Sequence, residues 1–194
     1  MSVMIAAIDP GLSGAIAILD RDTVVLVDDI PVHDVVRSGR KLRSELDLAG
    51  LRGMLAARAI GHVFIEDVGA RPGQGVVSMF RFGYAAGAIA GVVTGLQLPM
   101  TFVNSRRWQK AAGIGPAPDE ARQRASQLYP EIAGRLTRKK DGHRGDAILI
   151  ARYGASSLQN GDSEGLEPRP AVAPVGKLDQ RGRSRGLKLP TRPW

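Results

Sequence analysis

Cysteine is absent from the 194 residues. That excludes disulfides and thiolate metal sites, and it fits a reducing compartment. No apolar run reaches the roughly 20 residues that a membrane-spanning helix needs, and Met-Ser-Val-Met-Ile at the start lacks the basic segment of a secretory leader, so neither secretion nor a membrane partner is expected. Acidic residues are too few to balance the basic ones. Against 19 Asp and Glu stand 27 Lys and Arg, a formal net charge of +8. Such an excess favours a polyanionic partner, nucleic acid or acidic lipid, without choosing between them.

What is present is organised around Ile5-Ala6-Ala7-Ile8-Asp9-Pro10-Gly11, followed by the apolar stretch Ala15 to Leu19. A continuous hydrophobic run reads as a strand buried on both faces, and the Pro-Gly turn makes the pair a hairpin with Asp9 at its rim. Glycine there lets a phosphate or a metal approach the backbone. An Asp in such a turn can equally do no more than bond its own backbone. Arg21-Asp22 is a second tight turn and Thr23 to Val27 a third strand, which predicts an antiparallel meander. Residues 30–45 are mixed and charged and read as an exposed loop, with His33 a surface histidine. Leu46, Leu48, Leu51, Met54, Leu55 and Ala59 recur at helical spacing, with Gly61 as the stop. A strand from His62 to Val68 follows, and its Glu66 is placed by alternation to share a rim with Asp9, whereas Asp67 points away.

Downstream, Gly69 to Gly75 is a loop containing Arg71. A helix beginning near Val76 then carries Gly83, Gly87, Gly91 and Gly95. That spacing leaves one face bare for close packing in a core or a dimer, and Arg81 interrupts any membrane-like run. Leu98 to Val103 is a further strand. From Asn104 to Lys140 the chain turns basic, and Trp108 within it either anchors a helix or stacks on a base. Arg71, Arg81, Arg106, Arg107, Lys110, Arg122, Lys139 and Lys140 are the candidate phosphate contacts. Ala121 to Leu128 is a short helix, and a last helix presents His143 and Asp146 on one face. Periodicity ends near Ala155, so residues 1–155 read as the folded domain and 156–194 as a disordered basic tail able to add nonspecific phosphate contacts.

Asp9, Glu66, His143 and Asp146 together make a hard, oxygen-rich donor set suited to Mg²⁺ or Mn²⁺. Two such ions about 4 Å apart can activate water for phosphodiester hydrolysis. The motifs Ile8-Asp9-Pro10-Gly11, Phe64-Ile65-Glu66-Asp67-Val68, Gly83-Tyr84-Ala85-Ala86-Gly87 and His143-Arg144-Gly145-Asp146-Ala147, in that order, resemble the RuvC family of Holliday junction resolvases within the ribonuclease H-like superfamily, nearest its shorter phage and bacterial branch. The resemblance covers about residues 3 to 155. It implies an α/β fold with a mixed five-stranded sheet, the β1-β2-β3 antiparallel meander plus parallel strands, flanked by helices. It also implies two Mg²⁺ ions at Asp9, Glu66, His143 and Asp146, with Mn²⁺ as a substitute and Asp141 in reserve. Four-way or other branched DNA would be the substrate and a homodimer the working form, with Gly83, Gly87 and Gly91 at the interface and the cytoplasm, near the nucleoid, as the location. In the resemblance His143 stands where many members have Asp and others His, Lys110 lies close to a DNA-binding lysine, and the contact of a lysine that relatives carry around Pro118 is either missing or moved to Arg122. A Phe wedge expected after the strand Glu is replaced by Gly69-Ala70, leaving Phe80 or Phe82 for that role. Two other readings are a branched-DNA-binding protein with a dead site and an actin-like or sugar-kinase-type phosphate binder, although the chain is short for the two lobes of the latter.

Overall fold

The apolar run ending in Asp9 is buried on both sides, and the sheet is built outward from it. The computed structural model describes residues 3–36, 42–67, 69, 73, 75–117, 119–161 and 167–169. Strand β1 (Met4–Asp9) pairs antiparallel with β2 (Ala15–Asp20), and β2 with β3 (Thr23–Asp29). Ala7 faces one layer of the core while Ala6 and Ile8 face the other, which is why the strand shows no polar alternation.

Residues 30–45, read as a loop, contain β4 (Val32–Val36) and β5 (Leu42–Leu46), an antiparallel pair forming its own two-stranded sheet. Val32, Val35 and Val36 carry the strand propensity, and the polar residues between them hid the pattern. Ser44 donates to Asp34 across the pair at 2.8 Å. His33 is exposed, as expected.

Helix α1 (Leu48–Ala56) starts at Asp47, whose carboxylate accepts the Gly50 N–H at 2.8 Å, an N-cap. It leads to β6 (Ile60–Asp67), which runs parallel to β1. Helix α2 (Val76–Gly95) then leads to β7 (Met100–Asn104), parallel to β6. Leu51 and Leu55 of α1 and Ile89 and Val93 of α2 cover the Ala6–Ile8 face. After α3 (Ser105–Ala112) and α4 (Glu120–Leu128), two 3₁₀ turns (Pro130–Arg135 and Lys139–Asp141) lead into α5 (Gly142–Asn160). Helix α5 crosses the Ala7 face, with Ala147 to Ala151 buried beside Phe64 and Trp108.

The five expected strands lie in the order β3-β2-β1-β6-β7, and a sixth, β8 (Glu167–Arg169), pairs antiparallel with β7. The expected domain end at 155 falls inside α5, which continues to Asn160 and stops at Gly161 with φ 67°, a left-handed C-cap that glycine accepts readily. Most of the expected tail, including Arg181, Arg183, Arg185, Lys188 and Arg192, lies outside the described residues. Helix α2 departs from the expectation of no membrane-length run: by length and composition it could cross a bilayer. Its Ala85, Ile89 and Val93 are buried in the fold, whereas Gly83, Gly87 and Gly91 have open space where a side chain would stand.

Candidate metal and nucleic-acid site

Register brings the first two acids together. Ile8 pairs with Ile65 in the parallel β1–β6 ladder, and one step further each strand offers a carboxylate, Asp9 and Glu66. Alternation gives them the parity of Ala7 and Phe64, so both face the α5 side. The turn after Asp9 is tight enough to exclude a side chain at Gly14, where a Cβ would strike the Asp9 carbonyl. Gly11 adopts φ 144°, and the Phe82 ring packs 3.5 Å from where its Cβ would be.

From the opposite side α5 presents its first turn. His143 Nδ1 lies 2.6 Å from Asp9 Oδ2 and 4.0 Å from Asp146 Oδ2. One donor atom from each of Asp9, His143 and Asp146 falls within 4.8 Å of the others. Glu66 stands beside this trio, close enough for the Asp9 charge to act on its carboxyl. Its Oε1 accepts the Ser105 hydroxyl at 2.6 Å and the Trp108 indole N–H at 3.2 Å. All four expected residues therefore line one cleft of about 350 Å³, together with Phe82, Ser105 and Trp108.

Negative charge is crowded here. Asp9 is 4% exposed. Burial, then the Asp9 charge, pushes the Glu66 carboxyl up to about 7. Burial, then Asp9 and Glu66, does the same to Asp146, also to about 7. The hydrogen bond to Asp9 raises His143 against the opposing effect of its desolvation. Carboxyls driven toward protonation by burial and by one another fit a divalent cation, which would supply the missing positive charge. A cation must displace those protons, and must also displace the proton of His143 if the imidazole is to ligate. Mn²⁺ affinity measured by calorimetry should therefore rise between about pH 6 and 8 and level off above. A flat profile across that range would remove Glu66 and Asp146 from metal binding.

The remaining candidates divide. Arg106, Arg107 and Lys110 are exposed on α3, Arg81 on α2, and Lys139 and Lys140 on the second 3₁₀ turn. Arg71 lies outside the described residues. Arg122 is already engaged: its guanidinium bonds Asp119 at 2.6 and 2.7 Å and the Leu136 carbonyl at 2.7 Å. Asp141 is not drawn into the cluster. It is buried against Arg138, whose hydrogen bonds hold its carboxyl down at about 2.

Three participants were not legible as such in the sequence. Ser105 and Trp108 fix Glu66, and Trp108, 1% exposed, is the helix anchor rather than a free stacking platform. Arg144 ties the first turn of α5 to the end of β3. Its Nε donates to Asp29 at 2.7 Å, Nη1 donates to the Arg135 carbonyl at 3.2 Å, and Asp28 lies 3.5 Å away. Asp29 pairs with Ala15, and Ala15 with Asp9, so this clasp sets where His143 and Asp146 meet the sheet rim. The one sequence signal was an arginine between two candidate ligands.

A mixed sheet of this order, with acids at adjacent strand ends and a helix crossing them, defines the ribonuclease H-like fold. More particularly, the chain has a RuvC-like fold. It is similar to RuvC of T. thermophilus in complex with a Holliday junction substrate, at 16% identity and a TM-score of 0.54, covering 86% of this chain and 99% of that one. A second structure of Thermus thermophilus RuvC matches at 16% identity and a TM-score of 0.53, with the same coverage. No protein-family model matches the chain, and no curated protein does.

Proposed function

We propose that the protein is a divalent-metal-dependent endonuclease that resolves four-way DNA junctions by paired, symmetric nicks. The observation that carries this reading is the convergence of Asp9, Glu66, His143 and Asp146 in one cleft of a RuvC-like fold. One of the similar structures is RuvC in complex with a Holliday junction substrate, which supports the same substrate class here. Asp9, Glu66, His143 and Asp146 would hold two Mg²⁺ ions, with Mn²⁺ as substitute. When bound, such a pair activates a water and stabilises the departing oxygen. Ser105 and Trp108 orient Glu66 toward Asp9, Phe82 and Trp108 wall the cleft against bulk water, and the exposed cations on α3 and the second 3₁₀ turn offer phosphate contacts. The work would be done on DNA in the cytoplasm.

Two symmetric nicks call for two copies. Phe80 and Tyr84, 73% and 68% exposed on α2, flank the bare glycine row, and exposed apolar surface of this kind suits a second copy of the same helix. Gly87→Leu should convert the dimer to a monomer in analytical ultracentrifugation; an unchanged dimer would take α2 out of the interface.

The reading is tested with a synthetic four-way junction beside a linear duplex of the same sequence, with and without Mg²⁺. Paired nicks near the crossover, on the junction alone and only with metal, are expected. Junction binding without nicking in Mg²⁺ or Mn²⁺ would favour the dead-site alternative, and DNA-independent ATP hydrolysis the kinase-like one.

A further inference from the structure

A second hollow, of about 170 Å³, adjoins the cleft and shares Gln109 and Asp146 with it. Its volume equals the room of roughly five or six waters, so it admits one small ring system and little more. Ile114, Pro116 and Ala117 supply apolar wall. The cation in its lining, Arg122, is neutralised by Asp119 through two hydrogen bonds and shared with the Leu136 carbonyl. A phosphate would therefore find no uncompensated positive charge there, and it would meet Asp146 at the mouth. What the hollow offers instead is apolar contact and one uncommitted amide: the Gln109 side chain makes no hydrogen bond among the described residues. The wall is also stiff, because α4 and α5 touch so closely that a Cβ on Gly145 would lie 2.7 Å from the Arg122 backbone.

We infer that this hollow is a subsite for a single unstacked nucleobase flanking the scissile phosphate, with the Gln109 amide meeting the base edge. The inference rests on the nuclease reading, since it needs a strand lying across the cleft beside Asp146. A hollow with an apolar wall, an Arg122–Asp119 pair already satisfied and one open amide matches a base turned out of its stack, and an amide is a side chain that discriminates base edges. Gln109 thereby becomes a specificity-determining residue.

The test places 2-aminopurine in turn at each nucleotide flanking the mapped cut, on a junction bound in Ca²⁺. A rise in fluorescence of about two-fold or more is expected at one position, as unstacking relieves quenching. Ala117→Phe, a change at an exposed loop residue that fills the hollow, should abolish the rise. In Mg²⁺ the nicking rate should depend on the base at that position by about 10-fold, the size of one amide–base contact, and Gln109→Ala should flatten that dependence. Binding and nicking with no rise at any position, or a rise that persists in Ala117→Phe, would overturn the subsite and leave the nuclease reading standing. Absence of both binding and nicking would overturn the two together.

Discussion

Asp9→Asn should bind a four-way junction as tightly as the parent chain and nick it at least about 10³-fold more slowly. Asparagine keeps the size and one acceptor oxygen of the residue but loses the charge on which the cluster turns. Asp9 is hydrogen-bonded to His143 at 2.6 Å and its charge raises Glu66 and Asp146, so removing that charge takes away a proposed ligand and also lowers the repulsion on the two acids. Those two acids would ionise more readily, and the melting temperature in EDTA should therefore stay near that of the parent. That combination separates a lost site from a lost fold. Nicking that survives in Asp9→Asn would mean that the chemistry lies elsewhere in the chain.

Gly154→Val should be the most damaging change away from the cleft. Gly154 lies on α5 where the helix crosses β6, and a Cβ there would overlap the Phe64 ring. Phe64 is fully buried in the same core cluster as Ala147 to Ala151, so neither partner has room to yield. Forced overpacking of this kind costs about 3 kcal/mol, which in a chain of this length lowers the melting temperature by about 6–12 °C. Helix α5 also carries His143 and Asp146 at its other end. Any shift that relieves the clash moves those groups against Asp9, so Mn²⁺ affinity should fall along with stability. A variant that melts like the parent would show that α5 can slide over β6, contrary to the packing described.

The central strand and the acids were legible from local pattern. A run with no polar residue before Asp9 reads as a strand covered on both sides, and Glu66 follows the shorter apolar run Val63 to Ile65; burial on two faces favours that composition. His143 and Asp146 were legible as a pair because three residues on a helix bring two side chains to one face. Local pattern failed where a segment draws its stability from elsewhere. The β4–β5 pair reads as loop because only part of it meets apolar surface. Helix α2 shows an apolar length whose bare and buried sides cannot be told apart until Ala85, Ile89 and Val93 meet the sheet.

What the sequence by itself determined is the inventory: strands that end in Asp9 and Glu66, a helix that opens with His143 and Asp146, and a basic balance. Each depends on neighbours within a few residues, where periodicity and sterics act. Only the tertiary structure decided which groups are free to act. Arg122 and Asp141, both plausible at the site, are engaged by Asp119 and Arg138, while Trp108 turns its N–H onto Glu66 and Arg144 clasps Asp29 across more than a hundred residues of chain. Hydrogen-bond partners and desolvation belong to the packed core, and they set the charge state of an acid long after its place in the chain is known.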